Sequence, residues 1–175
     1  MAAIMLVKEF GVSNDIIKDV ISNFRGVEHR LEFVREINGV KWYNDSIGSS
    51  PTRTIAGLKA FNQKVMLIAG GYDKHIPFEP LAPYLVKKVK KLYLCGHTAE
   101  KIEKALTEYE GYNGSPEIIR VEDLEAAVLA AHKDAVKGDI VTLSPACASF
   151  DAFANFEERG ERFRQIVKTF HQERN

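Results

Sequence analysis

The sequence predicts an α/β fold: a doubly wound, mostly parallel, Rossmann-like sheet with an antiparallel N-terminal hairpin at one edge. From residue 51 onward, short apolar runs alternate with helical patterns, which is typical of a parallel sheet with helices on both faces. Before that, two strand-like segments flank Asn38-Gly39, a dipeptide that strongly favours a two-residue hairpin. With 175 residues, of which 45% are hydrophobic, a single well-formed core is expected.

The first part of the chain is predicted to form two short helices, at 2–10 and 15–24. Gly11 ends the first helix, because glycine readily takes the left-handed conformation that follows many helices. Ser13 or Asn14 caps the second, since short polar side chains accept hydrogen bonds from the free N–H groups of a first turn. Both helices lie before the predicted sheet.

The sheet and its helices follow from the apolar periodicity of the rest of the chain. Ser50 followed by Pro51 predicts a side-chain cap and a proline at the first helical position. The hairpin strands are expected at 31–37 and 40–43, later strands at 64–69, 91–95, 118–121 and 139–143, and helices at 51–61, 79–88, 98–109, 124–137 and 155–172.

Charge and cysteine content limit the class of partner. The chain has 24 basic and 24 acidic residues, so no net field recruits nucleic acid or a membrane surface. A monomer is expected. The lysine-rich run at 87–91 is interpreted as a solvated helix end. Cys95 and Cys147 are far apart and flanked by small or apolar residues, which indicates buried thiols in a cytoplasmic protein. No signal peptide or membrane-length apolar run is present in the sequence.

The segment 143–151 predicts an anion-binding turn. Small residues directly follow an apolar strand, so the backbone can approach a ligand closely. The turn offers free N–H groups, and Ser149 adds a hydroxyl. Open α/β sheets bind ligands at the carboxyl ends of their strands, and this turn would lie there.

Gly70 and Gly71 follow another apolar strand and begin the segment Gly-Gly-Tyr-Asp-Lys. The spacing of a phosphate-binding loop is absent from the sequence, so this is not such a loop. The glycines allow a tight turn that carries Lys74 to the carboxyl end of the strand, where an ammonium suits a carboxylate. A solvated loop lysine is the alternative, and the local sequence alone favours it.

Several other residues have a plain structural interpretation. Phe150, Phe153 and Phe156 stand at a spacing that also fits core packing. Cys147 lacks a neighbouring base, so it is interpreted as a small buried residue and not as a nucleophile. No catalytic residue or metal site is predicted. The charged residues that are interpreted as a solvated helix face are Glu157, Glu158, Arg159, Glu161 and Arg162.

The motif SPACASFDAFANFEERG, at 144–160, resembles the signature near the carboxyl end of D-glutamate-adding Mur ligases, enzymes of peptidoglycan synthesis. Three further segments agree and occur in the family's order: HRLE at 29–32, NDS at 44–46 and GGYDK at 70–74. The resemblance covers nearly the whole chain. The family's UDP-binding domain and central ATPase domain have no counterpart in this sequence.

This resemblance implies that 1–26 is the helical tail of the central ATPase domain and that 27–175 is the C-terminal, amino-acid-binding domain. The implied reaction is ATP-dependent amide formation between D-glutamate and UDP-N-acetylmuramoyl-L-alanine, through an acyl phosphate. ATP and Mg²⁺ would be held mainly by the missing central domain, so this fragment alone is expected to be inactive. Two alternatives stay open: a related Mur or polyglutamate-type ligase that adds another amino acid, and a stand-alone Rossmann-like binding module.

The same resemblance implies five residues for D-glutamate. Lys74 matches a lysine that binds the incoming amino acid. The Ser149 hydroxyl and the Phe150 backbone N–H match groups that hold the side-chain carboxylate of D-glutamate. Phe156 matches a residue that lines the pocket. Ser49 stands where the family more often has threonine, and it keeps the hydroxyl.

Two residues are implied for ATP. Arg30 matches an arginine that reaches the ATP phosphates when the domains close, and Asp45 matches a residue that contacts the nucleotide across the domain interface. The local alternative for the region after Asp45 is simply a well-capped helix. Many relatives have lysine where this chain has Ile47, so a positive charge near the phosphates is missing, and Arg53 is the hypothesised replacement.

Overall fold

The computed structural model describes residues 2–24 and 26–171. Seven helices and six strands are assigned within these residues, together with one short 3₁₀ turn at Glu79–Leu81. The strands are β1 (Glu32–Ile37), β2 (Val40–Asn44), β3 (Val65–Ala69), β4 (Val89–Leu94), β5 (Glu117–Arg120) and β6 (Ile140–Leu143). The helices are α1 (Ala2–Glu9), α2 (Asn14–Asn23), α3 (Pro51–Lys59), α4 (Ala82–Lys88), α5 (Ala99–Thr107), α6 (Leu124–Asp134) and α7 (Phe156–Thr169).

All six strands form one sheet in the order β1-β2-β6-β3-β4-β5. The β1–β2 pair is antiparallel, and the other pairs are parallel. Asn38 (φ 51°) and Gly39 (φ 77°) both take the left-handed conformation, as a two-residue hairpin of the favoured twist requires. The predicted fold class, including the antiparallel edge, is confirmed.

Helices cover both faces of the sheet and bury its apolar side chains. On one face, Trp42 of β2 packs with Val128 of α6 and Phe163 of α7. On the other, Leu67 of β3 packs with Leu85 of α4, in a cluster that also draws on α3 and α5. The central strand β3 is buried along its whole length, which is typical of a parallel sheet between two helical layers.

After β3 and after β6, the chain continues on opposite faces of the sheet. These two strands are parallel neighbours. After β3 the chain runs to α4 on one face, whereas after β6 it runs to α7 on the other. Such a divergence opens a crevice at the carboxyl ends of the two strands. The segments 70–78 and 144–155 therefore lie side by side at this crevice.

Helices α1 and α2 are capped as predicted but contribute no buried residue. Gly11 is left-handed (φ 76°), and the Ser13 hydroxyl accepts a hydrogen bond from the backbone N–H of Ile16 (3.4 Å). The assignment of 1–26 to a preceding domain stays a prediction, and Met1 and Arg25 lie outside the described residues. Seven large apolar side chains of this region are more than half exposed: Met5, Leu6, Phe10, Ile16, Val20, Ile21 and Phe24.

Two local predictions were wrong. Ser50 occupies the cap position of α3 before Pro51, but its side chain makes no capping hydrogen bond. The lysine-rich run ends a helix only at Lys87 and Lys88, because β4 begins at Val89, two residues before the predicted strand, and the rest of the run lies in the sheet. There, Lys90 pairs with Asp139 at the start of β6 (2.8 Å).

The helices are short. The longest one described, α7, has 14 residues, and its predicted end at 172 lies outside the described residues. No helix in the described part of the chain is long and apolar enough to cross a membrane.

Candidate functional site

Residues 144–150, here called the central loop, connect β6 towards α7 and are held by backbone hydrogen bonds from two sides. Pro145 accepts a hydrogen bond from the N–H of Gly70 (2.8 Å), and Ala148 accepts one from Tyr72 (3.0 Å). On the other side, the N–H of Ala146 donates to the carbonyl of Gly48 (2.9 Å). The loops that follow β2 and β3 therefore both adjoin the central loop.

Residues 70–74, here called the lysine loop, pass through a space that only glycine can occupy. A Cβ on Gly70 (φ 112°) would lie 1.9 Å from the carbonyl oxygen of Cys95. A Cβ on Gly71 (φ 144°) would lie 2.4 Å from the carbonyl oxygen of Ala148. The tight turn that the two glycines predict is present, and it presses the lysine loop against both neighbouring loops.

Lys74 is exposed and has no hydrogen bond or ion pair among the described residues. Its neighbour Asp73 does not neutralise it, because the Asp73 carboxylate pairs with Lys101 of α5 and accepts from the N–H of His75 (2.7 Å). Both contacts lower the pKa of Asp73, and the hydrogen bond from Lys101 has the larger effect. The Lys74 ammonium is thus free to bind an anion at the crevice.

Ser149 and Phe150 end the central loop beside the lysine loop. Ser149 is 2% exposed, and its hydroxyl has no hydrogen-bond partner among the described residues. Phe150 is 65% exposed, so core packing does not account for it, and its ring meets that of Tyr72 edge-on with 5.9 Å between centroids. By contrast, Phe153 packs against the core on the α6–α7 face, the role that its helical spacing suggested.

Ser49 joins this group, whereas Phe156 lies to one side. Ser49 follows Gly48, which is bonded to the central loop, and is partly buried there. Phe156 begins α7, and its half-buried ring meets His29 edge-on with 6.0 Å between centroids. The structure therefore gathers Lys74, Ser149, Phe150 and Ser49 on three adjoining loops and places Phe156 on the flank nearest His29.

Asp45 is buried and bonded within the chain. One carboxylate oxygen accepts from the Ser144 hydroxyl (2.7 Å) and the other from the N–H of Leu31 (3.3 Å). Burial raises the pKa of Asp45, against the opposing effect of these bonds and of the Arg30 and Arg53 charges. Neither arginine forms an ion pair with Asp45 within the described residues. The assignment of Arg30 and Asp45 to ATP stays a prediction.

The raised pKa of Asp45 gives a pH-dependent stability. The folded chain binds a proton at this carboxyl more tightly than the unfolded chain, so the contribution of Asp45 to stability falls as pH rises from 3.8 through the folded-state pKa. Relative to Asp45→Asn, the wild-type free energy of unfolding should decrease by up to about 1.4 kcal/mol per pH unit in this window. Urea unfolding of both proteins across acidic and neutral pH measures the difference.

Asp134 provides a control of opposite sign. The hydrogen bond from Lys91 lowers the pKa of Asp134, so its stabilising contribution is present above 3.8 and is lost as pH falls through the folded-state pKa. Relative to Asp134→Asn, wild-type stability should therefore rise with pH. If the stability difference between wild type and variant changed with pH in the same direction for Asp45→Asn and Asp134→Asn, burial of Asp45 would not explain the pH dependence.

Arg159 is the main site residue that the sequence interpretation missed. It is only 4% exposed, so its assignment to a solvated helix face was wrong. Its guanidinium donates to the hydroxyl of Ser46 (3.0 Å) and to three carbonyl oxygens, those of Ser46 (2.9 Å), Cys147 (3.1 Å) and Ala148 (2.9 Å). Burial lowers the pKa of Arg159 to about 10, which leaves it protonated at neutral pH. Arg159 thereby ties the central loop to the segment after β2.

The helical periodicity of α7 could have predicted that Arg159 is buried. Arg159 stands four residues before Phe163 and eight before Val167, so all three share the buried face of α7. The first turn of α7 is also fixed, because Asn155 accepts from the N–H of Glu158 (2.7 Å) and the Glu158 carboxylate accepts a backbone N–H in return (2.8 Å). A charged residue on an otherwise apolar helix face indicates a buried, bonded group.

The two thiols are unsuited to nucleophilic chemistry. Cys147 is 2% exposed, as predicted, and burial raises its pKa to about 11. Cys95 is partly buried, and burial raises its pKa to about 12. Within 2–24 and 26–171, no group of three or more His, Cys, Asp or Glu side chains is placed to hold a metal ion.

The residues predicted to bind the amino acid lie outside the cavity of this region. A cavity of about 520 Å³ lies nearby on the α6–α7 face, lined in part by Gly70, Gly71 and Arg159. Lys74, Ser149 and Phe150 do not line it. Lys74 and Phe150 are exposed at the carboxyl edge of the sheet, whereas Ser149 is buried there.

The topology defines a Rossmann-like α/β domain in which the loops with Lys74 and Ser149 adjoin at the carboxyl edge of the sheet. Residues 29–147 match the family described as Mur ligase, glutamate ligase domain. Since this match covers more than half of the chain, the chain belongs to that family.

Curated relatives agree with this assignment. The chain is 58% identical over 161 residues to a UDP-N-acetylmuramoylalanine--D-glutamate ligase of Acetivibrio thermocellus, covering 90% of this chain and 34% of that enzyme. It is 54% identical over 170 residues to a Clostridium botulinum protein of the same name, covering 97% of this chain and 37% of that enzyme. The chain thus spans about a third of the length of these relatives.

Solved structures of lower identity share the fold. The bifunctional folylpolyglutamate synthase/dihydrofolate synthase of Yersinia pestis CO92 superposes with a TM-score of 0.63 at 15% identity, over 89% of this chain and 35% of that one. E. coli FolC in complex with ADP superposes with a TM-score of 0.60 at 18% identity, over 90% of this chain and 35% of the FolC chain. At these identities the likeness establishes the fold alone.

Proposed function

We propose that this chain is the amino-acid-binding part of an ATP-dependent ligase that adds D-glutamate to UDP-N-acetylmuramoyl-L-alanine in peptidoglycan synthesis. The observation that supports the proposal is that the loop with the unpaired Lys74 is hydrogen-bonded, through Gly70 and Tyr72, to the loop with Ser149. The names of relatives at 54–58% identity support the same activity.

A dicarboxylic amino acid suits the groups at this crevice. The Lys74 ammonium is a mobile point charge for a carboxylate. The Ser149 hydroxyl and the N–H groups of the central loop offer hydrogen bonds to a carboxylate, and charge-assisted bonds of this kind are stronger than neutral ones. Ser49 contributes a further hydroxyl from the adjoining loop. D-Glutamate held in this way presents its amine to the second substrate.

In the proposed reaction, ATP supplies the phosphoryl group that activates the L-alanine carboxylate as an acyl phosphate. The neutral amine of D-glutamate then attacks the carbonyl carbon and a C–N bond forms. The nitrogen loses one proton, the C–O bond to phosphate breaks, and the phosphate leaves with that proton as hydrogen phosphate. This chain contributes by positioning the amine and by neutralising carboxylate charge, two effects that supply much of the rate in such reactions.

The groups here fit part of an ATP site and no metal site. Arg30 and Arg53 are exposed guanidinium groups close enough to Asp45 to affect its pKa, and such groups suit phosphate oxygens. The described residues include no carboxylate cluster for Mg²⁺. We therefore propose that Arg30 and Arg53 reach the ATP phosphates and that Mg²⁺ binds elsewhere in the full-length enzyme. We also propose that this enzyme is a cytoplasmic monomer.

The first test is D-glutamate-dependent phosphate release by the full-length enzyme. We expect turnover with D-glutamate, and none with L-glutamate or D-aspartate at equal concentration. Lys74→Met keeps the length of the side chain but removes its charge, so the KM for D-glutamate should rise about 10- to 100-fold, the loss of one charge-assisted bond.

Lys64→Met is the matched control, since Lys64 is exposed at the opposite end of the same strand, just before β3. Its KM for D-glutamate should match that of the wild type, and Arg53→Ala should raise the KM for ATP alone. Turnover with another amino acid in place of D-glutamate would refute the proposed substrate. An unchanged KM in Lys74→Met would remove Lys74 from the site.

A further inference from the structure

Thr98 departs from the role that its position in the sequence suggests. It stands at the cap position of α5, where a threonine hydroxyl usually accepts a hydrogen bond from the helix's own first turn. In the structure the Thr98 side chain makes no capping bond. It is completely buried, and its hydroxyl points instead to the neighbouring loops.

The Thr98 hydroxyl binds both backbone groups of Gly71 in the lysine loop. It accepts a hydrogen bond from the Gly71 N–H (3.1 Å) and donates one to the Gly71 carbonyl (3.0 Å). The same carbonyl also accepts from the backbone N–H of Thr98 (3.1 Å). Three hydrogen bonds thus fix one residue, three positions before Lys74.

The same hydroxyl also reaches the central loop. The Thr98 oxygen lies 2.9 Å from the Cys147 sulfur, and a protonated thiol can donate to it while the hydroxyl donates to Gly71. Gly71 is confined from the opposite side as well, since its missing Cβ would meet the carbonyl oxygen of Ala148. Thr98 is therefore a contact common to the two loops that carry Lys74 and Ser149.

We propose that Thr98 is a positioning residue that holds the lysine loop against the central loop and so sets the affinity of the crevice for its amino-acid substrate. This inference rests on the proposed function. Thr98 does not touch the substrate; it acts through Gly71 and Cys147. Removing its hydroxyl leaves the Gly71 N–H buried without a partner, while the Gly71 carbonyl keeps only the backbone N–H of Thr98. The lysine loop must shift to satisfy the free N–H.

The test uses Thr98→Val in the full-length enzyme, a change that keeps the shape of the side chain and removes the hydroxyl. The KM for D-glutamate should rise about 10- to 50-fold, equivalent to one or two lost buried hydrogen bonds. The KM values for ATP and the nucleotide-sugar should stay within about twofold of wild type, a separation that general destabilisation would not produce. Thr98→Ser keeps the hydroxyl and should restore the KM for D-glutamate to within about threefold.

Thr107→Val is the matched control on the same helix. Its hydroxyl bonds only to the local carbonyls of Glu103 and Lys104, so no KM should change. An unchanged KM for D-glutamate in Thr98→Val would overturn the inference. If Thr98→Val does not fold, Thr98→Ser decides, because a loss of affinity with the hydroxyl still present also overturns it. A wild-type enzyme that does not use D-glutamate would refute the proposed function itself, which is a separate outcome.

Discussion

Replacing Arg159 should lower the free energy of unfolding of this chain by about 3 kcal/mol. Arg159→Met keeps most of the packing volume but removes the guanidinium donors to the carbonyl groups of Ser46 and Cys147, and it leaves the carbonyl of Ala148 with only the N–H of Tyr72. A buried acceptor without its partner costs about 1–3 kcal/mol, and partial relaxation of the loop limits the total. Arg159→Lys should lose nearly as much, because one ammonium on a flexible stem cannot reach acceptors on two separate segments. Urea unfolding measures both changes.

Arg162→Met is the control for this effect. Arg162 lies three residues further along α7, and it pairs with Glu125 at the surface, where ion pairs contribute about 0–1 kcal/mol. Its loss should therefore be small. Similar losses in Arg159→Met and Arg162→Met would mean that the buried hydrogen bonds of Arg159 do not stabilise the fold. In the full-length enzyme, Arg159→Lys should also weaken D-glutamate binding, because the central loop loses its anchor.

Gly70→Ala should lower the free energy of unfolding about as much as the replacement of Arg159, because the added methyl group clashes with a neighbouring segment. The added Cβ would lie 1.9 Å from the carbonyl oxygen of Cys95, which directly follows β4. That segment cannot easily move, since the Cys95 N–H donates to Ala69 at the end of β3 (3.1 Å). The left-handed φ of 112° adds a conformational cost of about 1–2 kcal/mol. Together with overpacking, the loss in the free energy of unfolding should reach about 3 kcal/mol.

Gly114→Ala is the control that separates the conformational cost of a left-handed residue from the steric clash of an added Cβ. Gly114 is also left-handed (φ 93°), but a Cβ there would meet nothing within 4 Å. Only the conformational cost applies, so thermal and urea unfolding should report a loss of about 1 kcal/mol. Equal losses at Gly70 and Gly114 would exclude the close approach to Cys95 as a source of destabilisation.

The fold could be predicted because its signals are local. The Asn38-Gly39 hairpin and the alternation of apolar runs with helical patterns depend on neighbouring residues. The proximity of the loops with Lys74 and Ser149 could be predicted as well, since the carboxyl ends of parallel strands meet at one edge of the sheet. The family assignment was likewise predicted from the residues of the matched motifs and is confirmed.

The missed contacts join residues that are distant along the chain. Arg159 binds Ser46 across 113 positions, and Thr98 binds Gly71 across 27. Ser50 and Thr98 both look like helix caps in the sequence, yet neither hydroxyl caps its helix. Which partner a buried polar side chain chooses depends on what the completed fold places beside it. Local propensity therefore located the start of α3 correctly and assigned the Ser50 hydroxyl wrongly.

The burial of Cys147 makes this thiol a built-in probe of loop motion. In the structure Cys147 is buried within the central loop beside Thr98, and its high pKa leaves almost no thiolate to react. A thiol-directed reagent can therefore modify Cys147 only during transient opening of the central loop. The labelling rate, compared with that of an unfolded peptide, gives the free energy of this local opening without any engineered label. Substrates that hold the loop closed would slow the labelling, so the natural cysteine reports occupancy of a neighbouring site to which it is not directly bound.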